Sequence, residues 1–175
     1  MKQIYKWVCR LSQASGMVAA LLMVVSVFVV CQMIFVRAVL GESSIWQTEF
    51  VTYALVAATF LGAPYILLTK GHVNVDLLPL FLSHNARVAL AWVASIASLT
   101  FCLLFLYSAL HWWYEAWNLD LTTPSIWRAR LWIPYLSVPV GMTLLCLQYV
   151  VDIWALATGR DMPFGMDPSK QKEMA

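Results

Sequence analysis

Four stretches of the chain are apolar almost without interruption, at residues 17–36, 50–68, 88–110 and 131–156. At 1.5 Å per residue, about 19–23 residues cover about 28–35 Å, which matches a hydrocarbon core of about 30 Å. No Asp, Glu, Lys or Arg stands near the middle of any stretch; one such charge at a helix centre costs roughly 2.5–3.5 kcal/mol. The pattern predicts an all-α integral membrane protein, one domain of four transmembrane helices, with a polar tail over residues 159–175.

The break between the second and third stretches has its own logic. Residues 60–82 read FLGAPYILLTKGHVNVDLLPLFL. Gly71 can end a helix, and Lys70 beside it complements the helix dipole. Asp76 can cap a short helix that starts at Leu77, with Pro79 tolerated in its first turn. Leu77, Leu78, Leu80, Phe81 and Leu82 are too few to span, so they predict a short interfacial helix lying on the membrane or against a partner.

Charge fixes the expected orientation. With four spans, Lys2, Lys6, Arg10, Lys70, Arg87, Arg160, Lys170 and Lys172 share one side, against Arg37, Arg128 and Arg130 on the other. The positive-inside rule makes the first side cytoplasmic, with both termini there. Trp46, Trp112, Trp113, Trp117, Trp127 and Trp132 gather at the outer ends, while Trp7 and Trp154 lie near the inner ones. Indoles prefer the headgroup layer, so this reads as an interfacial belt, or more sharply as a docking surface for an external partner. The N-terminal segment imitates a secretory signal, but its apolar core exceeds the usual length and no small-x-small cleavage site follows. It is expected to be retained as a span.

Composition agrees. Hydrophobic residues make up 62% and charged residues 11% of the chain, against about 45–50% and about 25% in soluble domains. The net charge of +2, with no basic cluster interleaved with aromatics, gives no sign of nucleic acid as partner. Cys9, Cys31, Cys102 and Cys146 form no CxxC pair, so the latter three, inside apolar runs, read as small packing residues.

Chemistry within the spans is sparse. A transport path usually carries mid-membrane ionisable groups, broken helices or an inverted repeat, and none is legible here. Gln32, Thr52, Thr59, Ser95, Ser98 and Gln148 are scattered and neutral, and are expected to be satisfied by a neighbouring helix or by their own backbone. Pro139 should kink the fourth span, and Gly141 should let a neighbour approach. The runner-up reading, a haem- or quinone-associated anchor of a redox enzyme, needs paired axial histidines. His111 ends the third span outside, whereas His72 and His84 lie inside, a membrane thickness away. Neither a catalytic nor a metal or cofactor site is expected. Ala54, Ala58 and Gly62 on the second span, and Ala94, Ser98 and Cys102 on the third, recur every fourth residue and invite close helix packing.

Three segments, VRAVLGESSIWQTEF (36–50), FLGAPYILLTKGHVNVDLL (60–78) and WWYEAWNLDLTTPSIWRARLWIPYLSVPVG (112–141), resemble the small membrane subunit, the DctQ-type or Q subunit, of tripartite ATP-independent periplasmic (TRAP) transporters. Arg37 matches the arginine after helix one, Trp46 and Glu49 the aromatic-acid pair that opens helix two, and Gly62 the glycine of that helix. Gly71, His72 and Asp76 match the Gly-His-x-x-x-Asp turn. Trp113, Trp117, Thr122 or Thr123, Trp132, Pro134 and Pro139 fit the later pattern. The resemblance implies a subunit of the bacterial inner membrane with no transport site of its own. Its implied partners are the large M-type membrane subunit, which carries an organic acid inward with sodium, and the periplasmic P-type binding protein that captures it. Arg37 and Glu49 flank one outer loop and are expected either to pair or to stay solvated. His72 and Asp76 are expected to lock the inner turn.

Overall fold

The computed structural model describes residues 2–42, 45–69 and 84–158. They form α1 (Lys2–Phe35), a π-helical turn (Val36–Leu40), α2 (Trp46–Leu68), α3 (His84–Asn118), a short α4 (Trp132–Tyr135) and α5 (Ser137–Ala157). Four helical stretches are long and apolar enough to cross a membrane, and no strand occurs among the described residues. The all-helical, four-span architecture expected from the hydropathy pattern is present. The expected interfacial helix after Asp76 and the tail over 159–175 lie outside the described residues.

The helices outrun the apolar stretches that announced them. α1 starts at Lys2, not at Met17. Ser12 and Ser15, which precede the expected start, are buried in the bundle, because polar side chains that bond to a neighbouring helix need no apolar run to hold them there. α3 likewise extends to Asn118, beyond the expected end at Leu110.

α5 is the hub. It packs on α1, α2 and α3, whereas α1 and α3 share at most marginal contact. The most extensive pairing is α1 with α2, and α3 is held mainly through α5 and α4. The buried face of α1 carries Val8, Ser12, Ser15, Ala19 and Ser26, steps of four, three, four and seven residues that keep one narrow stripe toward its neighbours. α2 answers with Ala54 and Ala58, both buried. A Cβ on Gly62 would rest 3.5 Å from that of Ala19, whereas one on Gly16 would collide with the Tyr65 ring. Small residues therefore let α1 and α2 run closely antiparallel.

The α3 stripe differs from expectation. Cys102 is buried and Ser98 half-buried, but Ala94 faces outward, and Ala91 and Ala116 are the buried alanines. A helical stripe alternates steps of three and four, which together make the seven residues from Ala91 to Ser98, so a strict four-residue repeat drifts off the face at Ala94.

The proline expectation is also displaced. The fourth span breaks at Leu136, between α4 and α5, and Pro139 stands in the first turn of α5. Proline has no N–H for the carbonyl four residues back, so Pro139 interrupts the ladder at Tyr135. Leu136 N still bonds Trp132 O at 3.2 Å, and Val140 N bonds Leu136 O at 3.2 Å. Pro64 leaves the Phe60 carbonyl of α2 equally without its intrahelical donor. That carbonyl is the group Gly141 approaches, and a Cβ there would sit on it. Glycine lets α5 lie against the oxygen that proline released.

This crossing can be tested directly. Gly141→Ala should lower the thermal midpoint of the purified protein, with an overpacking cost of about 1–3 kcal/mol. Gly62→Ala, which meets only ordinary van der Waals contact, should shift the midpoint far less.

Candidate functional site: the buried polar seam and the outer cap

Polar side chains at membrane depth are spent on joining helices. Ser12 Oγ donates to Gln148 Oε1 at 3.0 Å, and Gln148 Nε2 donates to Asp152 Oδ1 at 3.0 Å. Gln148 and Ser12 are fully buried. Ser15 Oγ bonds the Ser12 carbonyl at 2.9 Å. The Tyr149 hydroxyl of α5 lies beside Ser98 of α3. At the other end of α1, Gln47 Nε2 donates to Gln32 Oε1 at 2.8 Å, and Gln47 is buried. Thr52 and Thr59 return their hydroxyls to carbonyls of their own helix, each at 2.9 Å. The expectation that such residues bond a neighbouring helix or their own backbone holds for Gln32 and Gln148 in the first way and for Thr52 and Thr59 in the second. Ser12, Gln47 and Asp152 were missed, because each stands outside or at the edge of an apolar run.

These contacts set depth. Trp7 lies five residues before Ser12, Trp154 six after Gln148, and Trp92 six before Ser98, whose neighbour Tyr149 adjoins Gln148. Three indoles on three helices therefore share one level at the end of the bundle that holds Trp7. At the opposite end Trp117 meets Trp132 edge-on at 4.7 Å and Trp113 at 6.0 Å. Trp132 and Trp154 are 22 residues apart, about 33 Å of helix. That separation fits aromatic belts on either side of a core of about 30 Å.

At the Trp117–Trp132 end of the bundle, α3 and α4 are joined by a fastened loop. Thr122 pairs with Arg130 in an antiparallel bridge. Thr123 N bonds Ala129 O at 3.0 Å, and Ala129 N bonds Thr123 Oγ1 at 3.0 Å. Leu131 N reaches Leu121 O at 2.9 Å. Asp120 and Arg128 take positive φ, 42° and 47°, which tightens the loop at its two corners. Arg130 Nε lies 3.8 Å from Asp120 Oδ1 with both side chains mostly exposed, a contact of little energetic weight. Ile126, at the tip, is 89% exposed.

Among the residues singled out in the sequence, Arg37 lies exposed in the π turn and does not pair with Glu49. Of the two expectations for Arg37, pairing or solvation, its exposed position fits solvation. Glu49 Oε2 and Trp113 Nε1 are buried without a hydrogen-bond partner among the described residues. Trp46 and Trp117 are exposed, Ala54, Ala58 and Pro139 buried, and Gly62 half-buried. His72 and Asp76 lie outside the described residues. Among the described residues no three His, Cys, Asp or Glu side chains converge as metal ligands would.

The chain is similar to known proteins. A family model described as "Tripartite ATP-independent periplasmic transporters, DctQ component" matches residues 26–159. The C4-dicarboxylate TRAP transporter small permease protein DctQ of Vibrio cholerae is 23% identical over 148 residues, covering 73% of this chain and 64% of that relative. The chain thus spans under two thirds of the length of the curated relative it matches.

Gln148 is the joint of the seam. Gln148→Leu strands the Ser12 hydroxyl and an Asp152 oxygen, and should destabilise the bundle by about 1–3 kcal/mol. Ser12→Ala should cost less, about 0.6 kcal/mol and at most about 1.7 kcal/mol, the range of interhelical hydrogen bonds in lipid. A double-mutant cycle read by thermal unfolding in detergent should give a non-zero coupling between the two positions.

Proposed function

Because the chain belongs to the DctQ component family of tripartite ATP-independent periplasmic transporters, we propose that it is the small, non-catalytic permease subunit of such a transporter. It packs against the large M-type subunit and stabilises it, as a scaffold for sodium-coupled uptake of an organic acid delivered by a P-type binding protein. It resides in the bacterial inner membrane with both termini cytoplasmic. The observation that carries this reading is the family match over residues 26–159, from within the first span through the other three. The structure supports it physically. The interhelical hydrogen bonds of the spans join one helix to another, as in a brace.

The organic acid is selected by the partners. The C4-dicarboxylate in the relative's name belongs to that class, as do sialic acid and other sugar acids. The fastened outer cap, with Ile126 at its tip and Trp127 beside it, faces the side from which a binding protein arrives. Glu49 Oε2 and Trp113 Nε1 leave one acceptor and one donor at that end for water or a partner to meet.

Two experiments test the reading. Co-expressed with the large subunit encoded beside it, the tagged chain should retain that subunit through purification. Vesicles holding both should take up substrate with the binding protein and sodium, and vesicles holding this chain alone should accumulate none. Accumulation by the chain alone would overturn the proposal. Separately, Ile126→Asp should reduce binding-protein-dependent uptake several-fold while leaving co-purification of the large subunit unchanged.

A further inference from the structure

The N-terminal third of α1 has a second face that the bundle does not use. Val8, Ser12 and Ser15 are buried against the neighbouring helices. Lys6 and Arg10 lie on the opposite side of the helix, Trp7 on the adjoining flank, and all three are exposed, Trp7 by 64%. Lys6 and Arg10 are four residues apart, which places them one above the other on the helix surface. Neither makes an ion pair among the described residues, and α1 contains no Asp or Glu. α1 is also an edge helix, in contact with α2 and α5 but at most marginally with α3.

Depth is fixed independently by the interhelical contacts. Trp7 shares its level with Trp92 and Trp154, so the aromatic belt at that end passes through Trp7. Lys6 adjoins that level and Arg10 lies about 4–5 Å toward the membrane centre from Trp7. The two cations therefore bracket the belt, where lipid phosphates begin. An exposed indole between two unpaired cations offers an apolar ring for the glycerol and upper acyl chain, and charge for a phosphodiester. Guanidinium and ammonium groups favour a lipid with net negative charge over a zwitterionic one, whose own ammonium competes for the phosphate.

We propose that Lys6, Trp7 and Arg10 form a binding site for one anionic glycerophospholipid in the leaflet that holds the N-terminal end of the chain. The occupant is a lipid and not a free anion, because the site faces the bilayer at the edge of the bundle. This inference is independent of the transporter reading.

The test uses the full chain, purified in mild detergent and titrated with phosphatidylglycerol or phosphatidylcholine of identical acyl chains, with adducts counted by native mass spectrometry. The wild type should hold one phosphatidylglycerol in preference to phosphatidylcholine. K6Q/R10Q should lose roughly twentyfold in that affinity, at about fivefold per cation near a membrane surface. K6R should bind as the wild type does, and R128Q, at the opposite end of the bundle, should retain the adduct. Because Lys6 and Arg10 are exposed, the double variant should keep the wild-type thermal midpoint. Equal binding of the two lipids by the wild type would overturn the proposal. So would undiminished phosphatidylglycerol binding by K6Q/R10Q, or displacement of the lipid by millimolar inorganic phosphate.

Discussion

Helices in lipid gain nothing from hiding oil, because the tails around them are as apolar as leucine. What holds them is close approach and the hydrogen bonds that close approach allows. The contact of Gly141 with the Phe60 carbonyl meets this constraint most directly. Pro64 removes one hydrogen bond from α2, and glycine on α5 brings a second backbone to the exposed oxygen. A Cα–H directed at a carbonyl is a weak interaction, worth about 0.5–1 kcal/mol. Its larger consequence is distance. Once α5 is drawn against α2, Gln148 falls within reach of Ser12, and the polar seam between α1 and α5 can form.

The hub arrangement then follows. α5 touches three helices and carries Met142, Cys146, Gln148, Val151 and Ala155 among its buried residues. α1, α2 and α5 meet as a mutually packed trio, whereas α3 joins through one seam built of Ala91, Cys102 and Ala116, with the Trp113–Trp117–Trp132 cluster as its clasp at one end. A helix held on one side only presents most of its circumference outward. Phe101, Leu104 and Tyr107 of α3 are each more than 60% exposed, as are Met17, Leu21 and Phe28 of α1. These are bulky apolar side chains of the kind that acyl chains cover. The bundle is therefore tightly joined inside and broad outside, which suits a part that widens a larger assembly.

Much of this was legible in the sequence, for identifiable reasons. Four spans were visible because lipid demands long apolar runs, and that demand is written residue by residue. Gln32 and Gln148 were legible as satisfied by a neighbouring helix or their own backbone, since an amide at that depth has few other partners. Gly141 was legible as a close approach, whereas the oxygen it approaches was not, because that depends on the register between α2 and α5. The extent of α1 was hidden for the same reason. Ser12 and Ser15 look like solvent residues until Gln148 is known to lie beside them. Ala94 misled because alanine is equally at home in a seam and on a lipid face, and only the three-four alternation separates the two. Whether Arg37 pairs with Glu49 or stays solvated was left open by the sequence, because the π turn at Val36–Leu40 leaves no trace in composition.

That π turn explains the length of α1. The register with α2 holds from Gly16 beside Tyr65, through Ala19 beside Gly62, to Met33 beside Thr48. It lapses where the backbone changes its winding at Val36, since a π turn places an extra residue in each turn. Arg37, just past that point, and Arg10, near the other end, are 27 residues apart, about 40 Å along the helix. A bilayer with its headgroups measures about 40–45 Å. α1 therefore carries Arg37 out beyond the belt at one end and Arg10 to within a turn of the belt at the other, and neither makes an ion pair among the described residues. A helix whose packing face ends before its charges do is positioned by its neighbours in rotation and by the lipid in depth. The two constraints are met by different residues on opposite sides of one helix.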